Sequence, residues 1–261
     1  MPGACALLAA TLAAHAALAD SSFRAAVGYD YSSGSYGGSQ TIDETYVPLT
    51  GAYRVDQFEV RVTVPYVSVS GPATIVDATG EFAPGPGGTH SGLGDVIAAA
   101  TVYDVLHSDE ARFYVDMSAR IKFGTADAAQ GLGTGENDYA AQIDALKEFD
   151  RFGLFATAGY IVRGSPTLLR LRNVAYGGVG ADMLFTDGVR AGVSFDYRPS
   201  AIPGDDPIEQ ASIFLILSGP HHMTIRPYLA AGFTNSTPSW GAGVSIGWKS
   251  APRDWIEPRE P

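Results

Sequence analysis

Residues 111–123 read A-R-F-Y-V-D-M-S-A-R-I-K-F. Phe113, Val115, Met117, Ala119, Ile121 and Phe123 fall on one face of an extended chain. Arg112, Tyr114, Asp116, Ser118, Arg120 and Lys122 fall on the other. The period is 2, over slightly more than the roughly 9–11 residues that carry a tilted strand across a bilayer. A soluble strand would hide its apolar face in a core. Here the polar face carries four charges, and similar strands recur along the chain. A closed barrel with lipid outside and a wet lumen inside is the economical solution.

Strand patterns occur at 23–31, 45–55, 58–69, 95–105, 111–123, 138–148, 152–163, 173–185, 189–198, 208–217, 224–233 and 240–249. They predict an all-β fold: a single closed antiparallel up-and-down transmembrane β-barrel of about twelve strands. The even count returns both chain ends to one side of the membrane. Connections alternate in length. Segments 32–44, 70–94, 124–137, 164–172, 199–207 and 234–239 are mostly long and rich in Gly, Ser, Pro and Asp, whereas 56–57, 106–110, 149–151, 186–188 and 218–223 are short. Short turns at one rim and long loops at the other are the signature of an outer-membrane barrel.

Residues 1–19 read as a secretory signal peptide, with an apolar run from Leu7 to Leu12 and Ala17-Leu18-Ala19 as the cleavage site. No Lys or Arg follows Met1, which departs from the usual pattern. The barrel is expected over 20–249, and a Pro-rich periplasmic tail over 250–261. Cys5, in the signal segment, is the single cysteine. The remainder has no disulfide, thiolate nucleophile or thiolate metal site. A formal charge of -11 disfavours nucleic acid.

Aromatic residues near strand ends suggest two interfacial belts. Phe23, Tyr53, Phe58, Tyr103, Phe113, Phe152, Phe185 and Trp248 are expected at the short-turn rim. Tyr31, Tyr46, Tyr66, Phe123, Tyr139, Tyr197 and Trp240 are expected at the long-loop rim. By parity, the lumen should be lined by Arg24, Asp30, Arg54, Glu59, Arg61, Arg112, Asp116, Arg120, Lys122, Asp144, Arg190, Asp196, Arg198 and Arg226. Both signs occur, so these side chains either pair into ladders that fill the lumen or line an aqueous path. About twelve strands enclose only a narrow interior. Gating by loops 70–94 and 124–137 is expected. Strand 152–163 is ambiguous, because it places Phe155 and Ile161 on its inner face.

Catalytic and metal constellations are weak. His90-Ser91 reads as a polar loop pair. His221-His222-Met223 reads as a turn, because adjacent histidines diverge. Asp43-Glu44, Glu136-Asp138 and Asp205-Asp206 read as solvated loop charge. Gly131-Leu132-Gly133-Thr134-Gly135 lacks the Lys-Ser/Thr and the helix that a phosphate loop needs. No enzyme activity, cofactor or metal is expected.

Gly92-Leu93-Gly94-Asp95, then Lys122-Phe123-Gly124-Thr125, then Gly131-Leu132-Gly133-Thr134-Gly135 with Asp138 resemble the motifs of a known outer-membrane family. It is the family named for the MetA pathway of phenol degradation. Phe123-Gly124 replaces that family's usual proline step. The resemblance covers roughly 92–148 and implies an outer-membrane barrel that passes hydrophobic or aromatic compounds. It supplies no catalytic residues.

The expectation is therefore a channel or transporter in the bacterial outer membrane. It would pass small hydrophobic or aromatic molecules through a narrow charged lumen, in contact with membrane lipid and lipopolysaccharide. The first alternative is a structural or surface-interaction barrel whose lumen is filled by side chains. Its sign would be a continuous ion-pair network across the lumen. A barrel enzyme and a soluble periplasmic β-protein are further readings. The sequence carries no mark of an oligomer interface.

Overall fold

A computed structural model describes residues 21–36, 40–77, 81–166 and 169–250. The expected signal segment, and the tail beyond Ser250, lie outside the described residues. β1 (Ser21–Gly34), β2 (Ile42–Val55) and β3 (Phe58–Ser70) form an antiparallel meander. One long connection then holds three short strands, β4 (Ala73–Asp77), β5 (Glu81–Pro84) and β6 (Thr89–Leu93). The wall resumes with β7 (Ile97–Ser108), β8 (Phe113–Lys122), β9 (Asp138–Glu148), β10 (Phe152–Val162) and β11 (Val174–Thr186). It finishes with β12 (Val189–Arg198), β13 (Ile208–Ser218), β14 (Met223–Gly232) and β15 (Trp240–Lys249).

β1 pairs with β2 on one side and with β15 on the other, so the sheet closes on itself. The wall is a closed barrel of twelve antiparallel strands, β1–β3 and β7–β15. Closure removes the free edges that hydrocarbon cannot hydrate. Short turns join β2 to β3, β7 to β8, β9 to β10, β11 to β12 and β13 to β14. The other connections emerge at the opposite rim.

Outside, the wall is apolar. Val60, Val62, Val179, Val193, Ile213 and Leu229 are each more than two-fifths exposed. Such a surface is stable in lipid and not in water. Phe23, Tyr53, Phe58, Phe113, Phe152, Phe185 and Trp248 are exposed near the short-turn rim. Tyr66, Phe123, Tyr139, Tyr197 and Trp240 are exposed near the other, and Tyr31 packs on Trp240 with ring centroids 5.3 Å apart.

Two aromatic residues expected in the belts face inward instead. Tyr103 is 3% exposed, because it shares the inner face of β7 with Ala99 and Thr101. Its hydroxyl accepts from Arg24 at 3.2 Å, and the Arg54 guanidinium lies 4.1 Å from its ring centroid. Tyr46 shares the inner face of β2 with Glu44 and packs against buried Val67 and Ile75 at the long-loop end. Parity, not distance from the strand end, decides both.

The long connection after β3 is not an open loop. Its base is closed by the Gly71 amide donating to the Gly88 carbonyl at 2.9 Å, with both glycines at positive φ. β4 and β5 pair as a hairpin that enters the barrel mouth. Ala73, Ile75 and Phe82 pack against Ile42, Val67, Val69, Ala126 and Leu132. Val76 and Ala83 pack against Ile161, Leu171, Val174 and Ala201 on the other side. The hairpin thus bridges the β2–β3 wall and the β10–β11 wall. It explains why Val67 and Val69, inward positions of a lumen strand, are apolar. Tyr36 joins this core edge-on to Phe82, centroids 4.6 Å apart, and burial pushes its hydroxyl pKa up.

Candidate functional site: the lumen and its mouth

Beneath the hairpin lies a cavity of about 730 Å³. Asp30, Arg61, Asp116, Arg120, Asp144, Asp196, Arg198 and Arg226 line it, with Phe155, Ile161, Tyr176 and Phe214. Ile161 and Arg198 also touch the hairpin, so they mark the boundary between cavity and plug.

The mouth is crossed by a continuous chain of buried charges. Lys122 donates to Asp95 at 2.7 Å and lies 3.5 Å from Asp138. Arg163 donates to Asp138 at 2.9 Å. Glu81, on the hairpin, lies 3.7 Å from Arg163 and 3.2 Å from Arg198. It also accepts from the Ser200 hydroxyl at 2.9 Å and the Ala201 amide at 2.5 Å. Three acids and three bases alternate, and Glu81 and Arg163 are almost wholly buried. Alternation lets each ion replace lost water with an opposite charge. The ladder register sets the order, because Lys122 is the direct partner of Asp138.

The Gly-rich motifs build this arrangement. Lys122 also donates to Thr134 at 3.3 Å and to the Glu136 carbonyl at 3.2 Å. Asp95 accepts from the Ala126 amide at 3.0 Å. A Cβ on Gly133 would press on the Asp95 carboxylate, and one on Gly94 would press on Pro65 and Val67. Gly131 is at φ 73° and lets its carbonyl accept from Ile75 on the hairpin at 2.9 Å. Gly92 packs on Leu132, and Leu93 points outward, 62% exposed. Gly135, also at φ 73°, lies against Gly124. The short 3-10 turn Ala128–Gln130 precedes Gly131, capped by Asp127. The Gln130 amide, with the Ala129 N–H, holds the Asp127 carboxyl below its ordinary pKa.

A second set of charges lies toward the short-turn rim. Glu59, 2% exposed, is shared by Arg24 and Arg61. Arg54 donates to the Asp56 carbonyl at 2.8 Å, and Arg190 pairs with Asp182. Arg112 is a correction to the sequence expectation. It sits in the turn before β8 at φ 48°, not on the inner strand face, and pairs with Glu148 at 3.2 Å. β7 carries a bulge between Val102 and Leu106 and pairs Ser108 with Phe113, the first residue of β8.

Four lumen rings lie flat against glycines of neighbouring strands. A Cβ on Gly180 would collide with Phe155, one on Gly192 with Phe214, one on Gly159 with Tyr176, and one on Gly243 with Tyr228. Glycine in a strand interior is unfavourable unless something approaches closely. Here aromatic rings do, and all four rings line the cavity.

Glu81 and Arg163 were not among the expected lumen residues. Arg163 shares parity with Phe155 and Ile161, so the signal was present in the ambiguous strand. Glu81 sits in a segment that reads as loop. Its flanking residues, Ile75, Val76 and Phe82, are the apolar signal in an otherwise Gly- and Pro-rich stretch.

No known family model matches the chain, and no curated protein matches it in sequence. Solved structures do match. The likeness is one of fold. The COG4313 outer membrane channel from Pseudomonas putida F1 is 13% identical, over 90% of this chain and 98% of that one, at TM-score 0.64. The NanC porin is 9% identical over 87% and 99%, at TM-score 0.55. The KdgM porin, in complex with disordered oligogalacturonate, is 9% identical over 87% and 99%, at TM-score 0.53. By their descriptions the first is an outer membrane channel and the other two are porins.

Proposed function

We propose that the protein is an outer-membrane channel whose lumen conducts small molecules and whose mouth is closed by the β4–β5 hairpin. The observation that carries this reading is the 730 Å³ cavity, which lies inside the barrel wall and is lined by charged side chains. A barrel serving only as a scaffold has no need of such a space. The barrel neighbours named as channels and porins agree with it. In this reading the long-loop rim is extracellular, the short-turn rim periplasmic, and the lipid-facing surface sits in the outer membrane. The motif resemblance supports hydrophobic or aromatic solutes, and the rings in the cavity wall agree.

A structural barrel is favoured by one observation, the unbroken chain Asp95–Lys122–Asp138–Arg163–Glu81–Arg198 across the mouth. Conductance separates the two. Refolded protein is placed in planar bilayers, as the full chain and with 72–87 replaced by a short Gly-Ser linker. The channel reading expects ion current that rises when the hairpin is removed. Silence from both forms, each shown to be folded by heat-modifiable gel mobility, would establish the structural barrel.

A further inference from the structure

Phe155 on β10 and Phe214 on β13 lean toward each other across β11 and β12, with ring centroids 6.2 Å apart and planes 51° apart. Gly180 and Gly192 lie beneath them. Each ring lies against a glycine of the neighbouring strand, and both line the cavity. The two rings pave a patch of lumen wall.

Carboxylates border this patch in register. Asp144 is the ladder partner of Thr157, Thr157 of Gly178, and Gly178 of Asp196. That row lies one inward step from the row holding Phe155 and Gly180. Asp116 extends it, opposite Asp144. Phe214 has its own row, through Tyr228 and Gly243 to Asp30.

The donors to these four acids are neutral: the Tyr228 hydroxyl to Asp30, the Asp104 amide to Asp116, Thr157 and Gln142 to Asp144, and Ser194 to Asp196. None has a Lys or Arg in ion-pair contact among the described residues. Arg61 shares Glu59 with Arg24, and Arg198 is held by Glu81. Arg120 and Arg226 are the opposing charges. Arg120 lies two inward steps toward the mouth, between Ala99 and Ala140. Arg226 lies one inward step from the Phe214–Tyr228 row toward the short-turn rim.

We infer that the Phe155–Phe214 patch is a subsite for a flat aromatic ring bearing a positive charge. The rings supply the platform and the cation–π attraction, and the surplus carboxylates set the sign. An aromatic anion would meet the same platform against an opposing field. The inference rests on the channel reading for its biological sense, but the subsite exists or fails independently of conduction.

The test uses full-length protein refolded in detergent micelles, with binding followed by saturation-transfer NMR and titration calorimetry. The probes are benzyltrimethylammonium, tetramethylammonium and benzenesulfonate, all of fixed charge. The aromatic cation is expected to bind about tenfold more tightly than tetramethylammonium, with no saturable binding of the sulfonate. Phe155→Leu and Phe214→Leu should each weaken the aromatic cation about threefold or more. Asp196→Asn should weaken both cations and is a second probe if a ring variant fails to fold. Equal binding of the sulfonate, or unchanged affinity in the folded variants, would overturn the subsite. Binding in micelles by a protein that never conducts in bilayers would overturn the channel and leave the subsite standing.

Discussion

Asp116 on β8 and Asp144 on β9 stand directly opposite each other in the antiparallel ladder, and both line the cavity. Like charges at opposed positions destabilise a sheet, by up to about 1 kcal/mol. Asp144→Asn keeps an oxygen to accept from Thr157 and removes the repulsion. It should raise the urea midpoint of the folded barrel by an amount equivalent to about 0.2–1 kcal/mol. In a conducting protein it should also move the reversal potential toward anions. A lowered midpoint would show that hydrogen bonding, not repulsion, dominates the pair.

The glycine-backed rings predict a steric series. Gly180→Ala places a methyl where the Phe155 ring lies, so the ring must swing into the cavity. Single-channel conductance should fall, and fall further in Gly180→Val. Gly247 is an inward glycine with only ordinary contacts around its Cβ position. Gly247→Ala should leave conductance at the wild-type level. An equal fall in both alanine variants would indicate general wall damage.

Glu81 ties the hairpin to Arg163 and Arg198. Removing one partner of a buried charge pair costs about 3–5 kcal/mol, because the others stay buried without it. Glu81→Gln keeps the shape and part of the hydrogen bonding, so the hairpin should undock more often. Longer open times in bilayers, and faster protease cleavage within 71–94, are expected. Unchanged cleavage would place the closing force in the apolar contacts of Ile75, Val76 and Phe82.

The wall was legible from sequence because alternation fixes both the strand and its face. All twelve wall strands lie where the periodicity put them, to within a few residues. The hairpin was not, since β4 and β5 are too short for alternation to stand out among Gly and Pro. Arg112 was misplaced because parity alone does not mark where a turn ends; its φ of 48° breaks the alternation one residue before β8. The mouth network escaped for a different reason. Its members come from six separate segments, and docking of the hairpin in the mouth is what brings Glu81 to Arg163 and Arg198. The Gly-Leu-Gly motifs did draw notice. What they do, holding Asp95, Lys122 and Thr134 together, is a property of the folded rim.

Arg120 and Lys122 share a face of β8 but have different surroundings, and their substitutions should separate. Lys122 is 8% exposed and held by Asp95, Thr134 and the Glu136 carbonyl. Arg120 lies between Ala99 and Ala140 and projects into the cavity, with no ion-pair partner among the described residues. Arg120→Gln should therefore shift the reversal potential in a salt gradient toward cations and leave the urea midpoint within about 0.5 kcal/mol of wild type. Lys122→Gln leaves Asp95 without its cation and Asp138 with Arg163 alone. It should lower the midpoint by several kcal/mol equivalents, roughly 3–5 for a buried pair, and affect selectivity less. Were Lys122→Gln to change selectivity as much as Arg120→Gln, the ion path would have to run through the rim network instead of beneath it.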